Sequence, residues 1–169
     1  MKAFFDTNIL VYTATSDAKK QQAADCLGRG GLASVQVLNE FVHVARRKLR
    51  HDWPQIELAL GLFHASLDDV VPITVNTHGN AVSLARDHGL SFYDALIVAS
   101  AIEAGCDTLY SEGMQHGRTI GGLTIVDVVE RTLVVQKEDR RKAALERLAT
   151  LNWTLPPDYK FDRDEANER

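Results

Sequence analysis

Short apolar runs alternate with longer stretches of helical periodicity over the first 128 residues, and that alternation leaves few folds open. Lys2–Asp6 reads as a buried strand, Leu32–Ser34, Val70–Thr74, Thr108–Tyr110 and Leu123–Val126 as further strands. Between them, Asp17–Leu27 is Ala-rich and ends at Gly28-Arg29-Gly30-Gly31, the usual way to stop a helix. Val35–Arg50 places Val37, Leu38, Phe41, Val44, Ala45 and Leu49 on a helical stripe. Pro54 opens another helix, Asn76–His88 is closed by Gly89, and Ser91 caps Phe92–Ala104. Strands separated by helices cannot pair as hairpins; they predict an α/β fold, a central parallel sheet with helices on both faces. In such sheets the working residues collect beyond the carboxyl ends of the strands. Asp6 and Glu112 both fall there.

Composition narrows the function. A chain of 169 residues with 45% hydrophobic content suits one domain with an appendage, and no apolar run reaches the ~18 residues a membrane span needs. Asp6 interrupts any secretory signal at the N-terminus. Cys26 and Cys106 are too few for a disulfide scaffold or a zinc cluster, and read as reduced thiols of a cytoplasmic protein. The six histidines lack the pair spacing of a metalloprotease helix. Residues 1–130 carry a net charge of −5 and residues 131–169 a net +1, so there is no global basic footprint for nucleic acid. The local exception is Arg46-Arg47-Lys48 with Arg50 and His51, which also suits a helix C-terminus.

The acids carry the chemistry. Mg²⁺ and Mn²⁺ take hard oxygen ligands, and a site needs only a few carboxylates completed by water and substrate phosphate. Asp6 would be a direct ligand at a strand end, and Asp94, in the first turn of its helix, a second. Glu40 stands beside an apolar stripe, where a carboxylate is costly unless paired or metal-bound. Asn8 and Ser111 would orient the ligands or hold a water. Singly, each acid has a structural explanation: Asp6 as a cap, Asp94 as a helix-start residue, Glu40 as one half of a salt bridge. Together they fall where one cleft would collect them.

Four segments, Phe5-Asp6-Thr7-Asn8, Leu38-Asn39-Glu40-Phe41, Ser91-Phe92-Tyr93-Asp94-Ala95-Leu96-Ile97-Val98-Ala99-Ser100-Ala101 and Leu109-Tyr110-Ser111-Glu112-Gly113-Met114-Gln115-His116-Gly117, resemble a PIN-domain ribonuclease. More narrowly they resemble a VapC-type toxin of a toxin–antitoxin system, over about residues 1–128. The resemblance implies a PIN-like three-layer fold, an Mg²⁺- or Mn²⁺-dependent endoribonuclease acting on tRNA or rRNA, a homodimer and a VapB-type antitoxin. Asp6, Glu40 and Asp94 match the family's metal-binding acids. Gly113 departs, because the family pattern places an acid there; Glu112 is the nearest substitute.

Beyond a linker at 129–136, Lys137–Leu151 carries an Ala144, Leu145, Leu148 and Leu151 stripe, followed by Leu155-Pro156-Pro157 and an extended charged end with an Asp162/Glu165 capping box. This segment, 137–169, resembles the toxin-wrapping part of a VapB-type antitoxin. Leu155, Tyr159 and Phe161 would anchor it, and Arg163 or Arg169 would enter the acidic cleft, in its own subunit or in a dimer mate. The alternatives are a PIN-like binding module impaired by Gly113, and another Asp-dependent α/β phosphohydrolase, although that class wants an acid where Asn8 stands.

Overall fold

The computed structural model describes residues 2–128, 139–156, 159 and 167. The fold is built outward from β1 (Ala3–Phe5), a three-residue strand buried along its whole length. It pairs in parallel with β2 (Leu32–Ser34) on one side and with β4 (Thr108–Tyr110) on the other. Beyond these lie β3 (Asp69–Val71), β5 (Thr119–Ile120) and β6 (Leu123–Val126), in the order β3-β2-β1-β4-β6-β5. The chain therefore winds to one side of β1, then crosses to the other. The crevice between the carboxyl ends of β1 and β4 is the switch point at which open α/β sheets place their sites.

The sheet is mixed rather than wholly parallel as the sequence suggests, because β5 runs antiparallel to β6 through the Gly121-Gly122 turn. Two-residue turns join only antiparallel strands; parallel ones need a crossover. β3 stops before the expected Thr74, because Pro72 has no N–H to give the ladder. Thr74 instead caps α5 (Val75–His88), sharing a capping box with Thr77.

Seven helices are found among the described residues. α1 (Thr7–Ala14) was not legible in the sequence; all eight residues are buried, so no polar face gives it a period. α2 spans Lys20–Leu27, α3 Val35–Arg47, α4 Trp53–Ser66 and α6 Phe92–Glu103. α4 is opened by an Asp52/Gln55 capping box with Pro54 in the first turn. α3 ends earlier than its pattern predicts: Arg50 adopts φ 57° and the His51 N–H turns back to the Ala45 carbonyl at 3.0 Å. Gly31 is required by close approach, since a Cβ there would lie 2.7 Å from the Phe5 ring and 2.8 Å from the Ala3 carbonyl oxygen.

α7 (Asp139–Ala149) docks its predicted stripe: Leu148 is fully buried, Ala144 and Leu145 nearly so. Arg141 donates to the Ser66 carbonyl at 3.1 Å and pairs with Asp68. Past α7, Trp153 stacks on Phe41 with centroids 6.0 Å apart, and Phe41 meets Phe63 edge-on at 4.9 Å. Ser16 fixes the Trp153 carbonyl through its N–H, 2.8 Å, and its hydroxyl, 3.1 Å. Leu145, Leu148 and Trp153 belong to the same core as Phe4, Phe5 and Ile9. None of the described helices is long and apolar enough to cross a membrane.

Candidate active site

The site begins where β1 ends. Asp6 still belongs to the ladder, its N–H donating to the Tyr110 carbonyl at 3.0 Å, and it then caps α1 by accepting from the Thr7 N–H at 2.6 Å. A capping acid stabilises a helix start by satisfying an orphan donor, yet this carboxylate has a second commitment. Its other oxygen accepts from the Ser111 hydroxyl at 2.6 Å and the Asn8 amide at 3.4 Å. Ser111 follows β4 as Asp6 follows β1, and the Phe5↔Tyr110 register sets the two turns side by side. Asp6, Thr7, Asn8 and Ser111 are all fully buried.

Glu40 comes from α3, which leaves β2 through the cap Ser34. It too is fully buried. Thr7 donates its hydroxyl to Glu40 Oε2 at 2.9 Å while its N–H holds Asp6, so one residue connects the two acids. Gln36, one turn earlier on α3, donates to Glu40 Oε1 at 3.0 Å. The tail residue Asn167 completes this cluster: its amide donates to Glu40 Oε1 at 3.1 Å and its oxygen accepts from Gln36 at 2.7 Å. Sequence reasoning missed Thr7, Gln36 and Asn167. The i,i+4 spacing of Gln36 and Glu40 was the available signal for Gln36; nothing local marks Asn167.

Asp94 sits in the first turn of α6, half-buried, with Ser91 as both cap and partner: the Ser91 hydroxyl donates to Asp94 Oδ2 at 2.8 Å. Glu112 is partly buried: its side chain is about a third exposed and its Oε2 is buried. It pairs with Lys19 at 2.5 Å, and Lys19 lies 5.1 Å from the centroid of the Tyr12 ring. Burial first, and then the neighbouring Glu112, push the Tyr12 phenol far above its ordinary range. Gly113 is exposed, and a side chain built there would meet nothing within 4 Å. Of the named tail residues, Tyr159 packs against the core with Lys48 5.5 Å from its ring centroid; Phe161, Arg163 and Arg169 lie outside the described residues, as do Asp162 and Glu165 and the expected linker 129–136.

The residues can be tested against a hard divalent cation. Among the described residues no three His, Cys, Asp or Glu side chains gather closely enough to hold one ion. Asp6 and Glu40 nonetheless supply oxygen donors, and the side-chain oxygen of Asn8 is buried beside Asp6 without a hydrogen-bond partner. A buried acceptor left unmatched is costly, and a cation or its water would satisfy it. Because Mg²⁺ is commonly held by one or two carboxylates with waters and phosphate, the donor set fits such an ion, with fewer acids than a fully furnished site.

The family model of the PIN domain matches residues 3–119. No curated protein matches the chain. Among solved structures it is similar to the Mycobacterium tuberculosis toxin VapC20, a sarcin-ricin loop cleaving toxin, at 20% identity and a TM-score of 0.55, over 64% of this chain and 87% of that one. A toxin–antitoxin complex from Klebsiella pneumoniae gives 22% identity and 0.59, over 75% and 98%. VapBC2 from Rickettsia felis, bound to a DNA fragment from their promoter, gives 19% and 0.55, also over 75% and 98%. At these identities the structures show a shared fold, and the family model carries the assignment: the chain belongs to the PIN-domain family.

Proposed function

We propose that the chain is an Mg²⁺- or Mn²⁺-dependent endoribonuclease, the toxin of a toxin–antitoxin pair, acting on RNA of the tRNA or rRNA class in the cytoplasm. The observation that supports it best is Asp6 at the sheet's switch point, held on both oxygens and joined to Glu40 through Thr7. Ser111 and the Thr7 N–H fix the Asp6 carboxylate and Gln36 and Thr7 fix Glu40; in this reading Asp94 of α6 would serve as the further acid. A bound divalent ion would lower the pKa of its water and offset phosphate charge. VapC20, named as a sarcin-ricin loop cleaving toxin, and the toxin–antitoxin complexes with the same fold support the substrate and partner class. A second copy would pack on α5, which leaves Val75 91% and Val82 48% exposed.

In this reading residues 1–128 form the nuclease, 129–136 the connection and 137–169 an inhibitory unit that takes the place of a VapB-type antitoxin. Asn167 on Glu40 supports it. The cut that tests inhibition belongs after residue 156. A cut at 136 would strip Leu148 and Trp153 from the core and confuse release with unfolding. In a Gly113→Asp background, the protein ending at 156 should cleave RNA with Mn²⁺ faster than the full chain. Equal rates would remove the inhibitory role.

A second reading, a PIN-type module that binds without cutting, is favoured by one observation: position 113 offers open space and no carboxylate. Cleavage by the unmodified 1–156 protein would exclude it.

A further inference from the structure

The cations at the end of α3 remain without a role. The helix dipole asks for positive charge only in the last turn, and Arg46 and Arg47 meet that need. It does not explain Arg50, the only non-glycine among the described residues with positive φ, where glycine is the usual occupant. Arg47 and Arg50 are exposed, and neither forms an ion pair with a described carboxylate. Next to them Trp53 is 54% exposed, with the Arg46 guanidinium 5.5 Å from its ring centroid. Arg46 is itself fixed by donating to the His51 carbonyl at 3.1 Å. Four formal positive charges within five residues, beside an open indole, stand out on a chain of net charge −4.

The cluster is connected to the acid pocket in two ways. Arg47 follows Glu40 by seven residues, two helical turns, so it lies on nearly the same face about 10 Å along. That is about three nucleotide steps at ~3.4 Å each. The C-terminal segment also touches both places: Trp153 lies 3.8 Å from the His51 ring, Tyr159 lies under Lys48, and Asn167 reaches Glu40.

Resting on the ribonuclease reading, we propose that Arg46, Arg47, Arg50 and Trp53 form an RNA-docking surface. The guanidiniums would take backbone phosphates, and the open face of Trp53 an unpaired base. Charge complementarity selects a polyanion, and the exposed indole selects one with unstacked bases over duplex DNA or an acidic peptide.

The test uses the full chain in EDTA with a fluorescein-labelled RNA hairpin, titrated from about 50 to 200 mM salt. The parent should bind with strong salt dependence and quench Trp53, the other tryptophan being buried. Arg47→Gln with Arg50→Asn, the latter suited to the same backbone, should weaken binding about tenfold or more. It should also reduce the slope of log affinity on log salt by about 1.5. Trp53→Phe should abolish the quenching. Arg86→Gln, an exposed cation on α5, should bind like the parent, separating the patch from surface charge in general. If the parent binds but the double variant matches its affinity and slope, the docking surface is wrong while the nuclease reading stands. If the parent binds no RNA, both fall. Tighter binding to duplex DNA or polyglutamate would assign the patch to another partner.

Discussion

Two turns meet at the centre of this molecule, one after β1 and one after β4, and they are furnished very differently. In the first, Asp6-Thr7-Asn8, every side chain is fully buried, and the two polar side chains beside the acid act on it or on Glu40. In the second, Ser111 is just as buried and holds Asp6, while Glu112 pairs one oxygen with Lys19 and keeps the other buried, and Gly113 offers no side chain. One turn holds its acid by several hydrogen bonds, while the other supports that acid through Ser111 and carries an acid paired with Lys19. Hydrogen-bonded order is therefore concentrated in the β1 turn, and the β4 turn is where a substitution has room.

The sharpest way to break this contrast is Asp6→Asn in the Gly113→Asp background. Loss of a direct acid should exceed the 10–100-fold typical of supporting residues, so Mn²⁺-dependent RNA cleavage should fall by about 100-fold or more. A variant that cuts like its parent would show that the β1 turn is only a helix cap. Gly113→Asp alone should raise Mn²⁺ affinity by about tenfold in calorimetry, because a carboxylate is added where nothing obstructs it. Unchanged affinity would mean that the β4 turn does not face the ion.

Smaller effects should follow the same division. Thr7→Val keeps the shape but removes the Thr7 hydroxyl from the buried Glu40 Oε2, at a cost of about 1–3 kcal/mol in denaturant unfolding. Lys19→Met, at the rim, should cost no more than about 1 kcal/mol, since its pair with Glu112 is about a third exposed. A larger loss from Lys19 than from Thr7 would invert the comparison. The weakest effect lies in alkali. The folded-state pKa of Tyr12 is raised, so unfolding releases a proton and the stability from this group is lost as pH rises above about 10. Glu112→Gln should lessen that loss, read as a smaller drop in Tm between neutral and alkaline buffer.

Much of the fold was legible because strands such as Thr108–Tyr110 and helices such as Phe92–Glu103 carry both their period and their punctuation locally. α1 was hidden because burial on every side erases the amphipathic signal, although Asp6, its cap, is legible as an acid at a strand end. The antiparallel β5 was too short to read. At the site, Asp6, Asn8 and Ser111 were singled out from their positions after strands, and in the structure Asn8 and Ser111 each donate to Asp6. Glu112 was read as a substitute acid; its pairing with Lys19, 93 residues away, was not legible. Thr7 was masked by its most ordinary role, the first residue of a helix. Asn167 and Trp153 show the general limit: their partners Glu40, Ser16 and Phe41 are more than a hundred residues distant, and no window of sequence contains both ends of such a contact.

The depth at which Trp153 is seated gives the C-terminal segment an order of removal. A protease working inward from the C-terminus meets Asn167 first, then Tyr159, and only afterwards the indole stacked on Phe41. Early trimming therefore frees Glu40 of its asparagine while the folded body persists, and later trimming destroys the body itself. On the inhibitory reading proposed above, the interval between those two losses would be a timer set by the distance along the backbone between two contacts.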